Sequence, residues 1–170
     1  MSPNALELSG TLTFNDFKRY NFHAKKKPET YYFFSVIIVL FFIFKMFNPE
    51  LGIGYSLFVS IIIGIVVEII RWFLLYLRVR KEFTSDQVIK NEVKYWINGN
   101  GINQERKASN IQIEWNDIIS IYEYKDLFRL QISSNKAIVL PKSFFHSKGD
   151  INRFKKIIRQ NINSKKLQMK

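Results

Sequence analysis

The residues able to do chemistry are few, and their spacing is unhelpful to catalysis. There is no cysteine, and only two histidines, His23 and His146. That excludes a disulfide scaffold, a thiolate nucleophile, thiolate metal sites and most histidine-based constellations. No P-loop, dinucleotide glycine pattern, nucleophile elbow or HExxH run occurs. The acids between residues 82 and 150 are scattered singly, and neither histidine has a carboxylate at triad or metal spacing. One pair stands out. Glu68 and Arg71 interrupt an apolar run at i, i+3, the spacing for an ion pair on one helix face. Charges inside a membrane segment suggest a proton or ion relay. Seventeen apolar residues precede Glu68, however, which places the pair near the far interface, where it would simply neutralise itself. The expectation is a non-enzymatic chain without metal or cofactor.

The elements around that pair explain its place. The chain has 170 residues, a formal charge of +12 and a mean hydropathy near zero, −0.08. Both averages conceal a partition. Tyr31 to Phe44 carries no charge, and with Lys45 passed over the run reaches Phe47, about 25 Å of helix at ~1.5 Å per residue. Lys45 is expected to reach outward along its stem. Asn48-Pro49-Glu50 breaks the run, and Leu51 to Val67 is again uncharged, with apolar character continuing to Leu77. Two such runs read as a transmembrane hairpin, at about 31–47 and 51–72.

The positive charge frames this block. Lys25, Lys26 and Lys27 precede it, and Arg71, Arg78, Arg80 and Lys81 close it. Residues 82–150 hold nine charges of each sign, whereas residues 151–170 hold seven Lys/Arg and no acid. A neutral globular stretch argues against nucleic acid as the partner. The flanking bias places both termini in the cytoplasm, with a short external turn. Lys25, Lys26, Lys27, Arg78, Arg80, Lys81, Lys155 and Lys156 are candidate contacts to anionic lipid, at ~1 kcal/mol each near a charged surface.

The remainder reads as one small β domain. Residues 1–30 hold a strand from Leu6 to Thr13. A short interfacial helix follows, capped by Thr13 or Asn15 and carrying Phe17, Tyr20 and Phe22. The hairpin occupies 31–77, a β domain with a C-terminal helix 78–163, and a basic tail 164–170. Lys90 to Ile97 ends at Asn98-Gly99-Asn100-Gly101, a hairpin signal with two residues suited to positive φ. Strands are expected near Gly101 to Arg106, Ile111 to Trp115, Ile118 to Tyr124, Leu127 to Ser133 and Lys136 to Leu140, the last ended by Pro141. Asp150 is expected to cap a helix with Ile151, Phe154, Ile157, Ile158 and Ile162 on one face.

Ile113-Glu114-Trp115-Asn116-Asp117-Ile118, Glu123, Lys125-Asp126-Leu127-Phe128 and Lys136 through Ile138-Val139-Leu140-Pro141-Lys142-Ser143-Phe144 together resemble the YcxB-like family of bacterial membrane proteins. Leu12 to Phe17 is similar to the family's opening segment. The resemblance implies two membrane helices and a C-terminal domain similar to pleckstrin-homology-like folds, a curved antiparallel sheet closed by a helix. It carries no catalytic residue across. Its motif residues Trp115, Asp117, Asp126, Pro141 and Lys142 have structural readings: an anchor, a turn cap and a strand exit.

The expected fold class is therefore an α+β membrane protein. The expected function is a membrane-anchored binding or regulatory module at the inner face of a bacterial membrane, with the bilayer and a protein as partners. Alternatives are immunity against a toxin, or a channel or transporter, which two helices build only as a homo-oligomer.

Overall fold

A computed structural model describes residues 5–107 and 109–169, with the backbone alone for 24–30. The chain forms two compact units. One joins the residues up to Tyr20 with those from Ser85 onward, and the other is Asn21–Thr84.

The first unit is built on two four-stranded sheets, antiparallel except where β8 joins the second. Strand β1 (Leu6–Gly10) pairs with β2 (Val93–Asn98), from Leu6 opposite Ile97 to Gly10 opposite Val93. Strands β3 (Gly101–Arg106) and β4 (Ser109–Glu114) continue this sheet in the order β1-β2-β3-β4. The second sheet runs β7 (Ala137–Pro141), β6 (Leu127–Gln131), β5 (Ser120–Glu123) and β8 (Leu167–Gln168), with β8 parallel to β5. Period-two alternation sends Leu6, Leu8, Val93, Tyr95, Ile97 and Ile102 into one core with Ile121, Leu127, Phe128, Leu130 and Leu140. Helix α3 (Lys148–Asn161) closes it through Phe154 and Ile158, both fully buried. Phe128, Phe145 and Phe154 meet with ring centroids 5.0–5.8 Å apart, an aromatic cluster joining sheet to helix.

Several local details depart from sequence expectation. The helix cap is Ser147, whose Oγ accepts from Asp150 N at 3.1 Å; Asp150 answers as N3 by accepting from Ser147 N at 3.0 Å. In the β2–β3 turn Asn98 Oδ1 accepts from Asn100 N and Gly101 N at 2.8 and 3.2 Å. That side chain closes the turn, so only Gly101 takes positive φ, 151°. Strand β4 starts at Ser109 and overhangs the core, leaving Ile111 48% exposed while Ile113 is buried. The expected tail is structured: a 3-10 turn at Ser164–Lys166 leads into β8, and Lys166 Nζ donates to Ile118 O at 2.9 Å.

Helix α1 (Phe14–Phe47) begins on a Thr13–Asp16 capping pair, with Asp16 N donating to Thr13 Oγ1 at 3.2 Å and Thr13 N to Asp16 Oδ2 at 3.2 Å. It is one continuous helix rather than a short helix followed by a separate apolar one. Helix α2 (Ile53–Ser85) likewise runs past the expected end near residues 72–77, so the β unit begins at Ser85 rather than 78. At the break, Lys45 Nζ folds onto Pro49 O and Leu51 O at 3.0 and 2.6 Å. It ties down carbonyls of the turn between α1 and α2 instead of reaching away. Ser56, Ser60 and Gly64 are buried at four-residue spacing on α2. A Cβ on Gly64 would stand 2.9 Å from Ile37 of α1, so the small residue permits close approach of the two helices. Phe34, Ile38 and Phe42 of α1, and Phe58, Ile69, Phe73 and Leu74 of α2, are exposed. Helix α2 is long and apolar enough to cross a membrane; the apolar part of α1, Tyr31–Phe47, is shorter.

Candidate functional site

Of the family-like motif residues, Asp126, Pro141 and Lys142 lie on or beside the second sheet. Glu123 ends β5, where Tyr124 N bonds Leu127 O at 2.8 Å and the chain turns into β6. Its Oε1 accepts from Lys142 Nζ at 2.8 Å and is 2.7 Å from Lys155 Nζ. Lys142 lies just past Pro141, the last residue of β7, and Lys155 on α3, so one carboxylate ties β5 to both. The Glu123 side chain is 8% exposed, and those of Lys142 and Lys155 are 25% and 20% exposed. Lys142 also lies over the Phe128 ring, 5.1 Å from its centroid. Burial pushes the Glu123 carboxyl up, but the two ammonium groups outweigh it and hold its pKa below the ordinary value. A carboxylate held ionised in this way is a structural tie and not a general acid near neutral pH. Its second oxygen, Oε2, is buried with no hydrogen-bond partner among the described residues.

Asp126 turns the other way, onto the first turns of α1. Its Oδ2 is 3.2 Å from Arg19 Nη1. One residue along α1, Tyr20 faces Arg129, whose guanidinium carbon is 5.7 Å from the Tyr20 ring and 5.6 Å from that of Tyr122. Arg129 also donates to Gln131 Oε1. Burial raises the Tyr124 hydroxyl pKa, with Arg129 offsetting part of the effect. The start of α1 is thus clamped to β5 and β6 by a charge pair and a cation between two rings.

The other motif residues hold turns. Trp115 is buried and donates from Nε1 to Asn98 O at 3.0 Å, and Asp117 Oδ2 accepts from Glu114 N at 3.1 Å. Glu68 and Arg71 form the expected pair, with Arg71 Nη2 and Nε donating at 2.6 and 3.0 Å. Trp72 Nε1 joins Glu68 at 3.0 Å, and Arg71 covers the Tyr32 ring at 4.8 Å. Arg78, Arg80, Lys81 and Lys156 are exposed. The side chains of Lys25, Lys26 and Lys27 lie outside the described residues. Lys155 corrects its assignment as a lipid contact, because its ammonium is engaged by Glu123. Sequence reasoning missed Glu123 and Arg129 as organising groups: each is separated in sequence from the partners it meets. No group of three or more metal-capable side chains is clustered among the described residues.

Fold and cluster together define an α+β protein in which two antiparallel sheets and a closing helix share one core, with a pair of long helices inserted between β1 and β2. Residues 97–158 match the family described as "YcxB-like protein". Over 175 aligned residues, 98% of this chain and 94% of the relative, the chain is 30% identical to the "Uncharacterized protein YcxB" of Bacillus subtilis (strain 168). The chain belongs to the YcxB-like family. No solved structure matches it.

Proposed function

We propose that this protein is a membrane-anchored, non-enzymatic binding module. The helical unit crosses a bacterial cell membrane twice, and the β unit is held at the cytoplasmic face with both termini. The observation carrying this reading is the insertion of two apolar-surfaced helices between adjacent strands of a β domain. Large apolar groups exposed along both helices, Phe34, Ile38, Phe42, Phe58, Ile69 and Phe73 among them, form far more apolar surface than a soluble monomer tolerates. Exposed Arg78, Arg80 and Lys81 near the end of α2 support an inside location for that end. Two successive antiparallel sheets closed by a C-terminal helix favour a pleckstrin-homology-like reading of the β unit.

Binding rather than catalysis is favoured because the most buried charges of the β unit are engaged with one another. The edge strand β4 offers the receiving surface. It pairs with β3 alone among the described residues and leaves Ile111 exposed, so an extended peptide can add beside it.

The chain has no cysteine, so single cysteines report cleanly. A membrane-impermeant maleimide should label Glu50→Cys in intact cells and Gln87→Cys only after lysis. Labelling of Gln87→Cys in intact cells, or release of the chain from membranes by alkaline carbonate, would overturn the anchor and its orientation. A photocrosslinker at Ile111 should capture a protein partner that one at the exposed Gln160 of α3 does not. Equal capture from both positions would reject β4 as the receiving edge.

A further inference from the structure

The second sheet has an edge that the chain covers with its own C-terminal segment. Strand β5 pairs with β6 on one side and with β8 on the other. The cover is slight. Strand β8 is two residues long against the four of β5, and only Ile121 and Tyr122 have partners in it, Leu167 and Gln168. The pairing is parallel, slightly less stable per residue than antiparallel pairing. The 3-10 turn at Ser164–Lys166 brings the segment in, with Leu167 N closing on Ser164 O. No residue of β8 stands opposite Ser120 or Glu123. Just before β5, Ile118 O accepts at 2.9 Å from the Lys166 ammonium, a side chain in place of a strand N–H.

The segment seated there shows what this edge accepts. Leu167 stands opposite the buried Ile121, and two residues on Met169 also packs against the shared core, whereas Gln168 between them is exposed. Lys166, Leu167, Gln168 and Met169 thus present a cation to the Ile118 carbonyl and alternate apolar side chains to the core face. A segment of that pattern arriving from another chain needs no 3-10 turn to reach the edge. It can lie straight along Ser120 to Glu123 and make more ladder bonds than β8 does.

We propose that residues 164–169 are a displaceable strap. The β5 edge beneath them receives an extended segment of a partner protein, with a basic residue followed by apolar residues at alternating positions. The strap is an intramolecular competitor, with an effective concentration on the order of millimolar for so short a connection. The partner displaces it by pairing over a greater length. This site is distinct from the open β4 edge, and it does not depend on the membrane reading.

The test uses the full chain in detergent micelles and a fluorescein-labelled peptide copying residues 163–169, followed by anisotropy. Two changes release the strap: Leu167→Asp, and a stop codon after Asn163. Either released chain should bind the peptide at least tenfold more tightly than wild type, in which the strap competes. The same peptide with aspartate in place of its leucine should not bind. A photocrosslinker at the glutamine of the peptide should mark β5 and not β4. Equal affinity for wild type and both released chains would overturn the proposal. So would an absence of binding to released chains that unfold as cooperatively as wild type, or crosslinks on β4. Loss of cooperative unfolding in both released chains would show residues 164–169 to be a structural strand and would reject the strap. A wild-type chain that is dimeric in micelles and becomes monomeric on truncation would overturn the partner protein in favour of a second copy of this chain.

Discussion

Glu123→Gln is the most informative single change in the β unit. The wild-type carboxylate is almost wholly buried and holds Lys142 and Lys155 at 2.8 and 2.7 Å. Breaking a buried pair by removing one partner costs ~3–5 kcal/mol, because a charge is left buried alone. Here both lysines keep a fifth to a quarter of their side-chain surface, so each can swing toward water. The expected loss is therefore lower, about 2–3 kcal/mol. The amide also places a donor on one of the two carboxylate positions, with no partner ready at Oε2. The pH dependence gives an independent signature. The folded pKa of Glu123 lies below its ordinary value, so its stabilisation is present above the unfolded carboxylate pKa, ~4.3, and is lost as pH falls through the depressed folded value. Urea unfolding of the full chain in micelles, followed by fluorescence in a Trp72→Phe background, reads the β unit through Trp96 and Trp115. Wild type and variant should differ by about 2–3 kcal/mol at pH 7 and converge only as pH falls through the depressed folded value of Glu123. A difference under ~0.5 kcal/mol at pH 7, or one unchanged between pH 7 and 3, would refute the assignment of Glu123 as the tie between β5, Lys142 and α3.

The same assay checks three further expectations. Gly101→Ala should cost about 2 kcal/mol or more, since its Cβ would stand 2.2 Å from Ile113 O at φ 151°; Gly99→Ala, with nothing within 4 Å, should stay within ~0.5 kcal/mol of wild type. Burial pushes the Tyr95 hydroxyl up to about 12, partly offset by Arg106, so its stabilisation is complete below pH 10 and lost between pH 10 and 12. That loss amounts to about 3 kcal/mol, and Tyr95→Phe should flatten this alkaline limb. Phe154→Ala should cost ~3–5 kcal/mol, because the ring is fully buried among Phe128, Phe145 and the sheet.

Sequence reading found the elements best where the signal is local. The Asn48-Pro49-Glu50 break separates α1 from α2 as expected, because proline and its neighbours act within a turn. The Asn98–Gly101 hairpin, the strands after it and the apolar face of α3 were readable for the same reason. So was the Glu68–Arg71 pair, three residues apart on one helix. Reading failed at continuations. Nothing in the sequence around Phe22 to Tyr31 announces that one helix runs through, and seven basic residues disguise a C-terminal segment whose Leu167 pairs with Ile121.

Composition and local pattern thus determined two apolar helices, a β-rich remainder and charge gathered beside the helices. Only the tertiary structure decided that β1 belongs beside β2, making the helices an insertion within the β unit. It also decided that Glu123 meets lysines 19 and 32 positions away, and that Asp126 meets Arg19. Periodicity and turn chemistry act over a few residues, and a sequence displays them directly. Strand order and ion pairing across such separations depend on which faces the shared core brings together, and that is settled only when Leu8, Ile97, Phe128 and Phe154 are buried in one core.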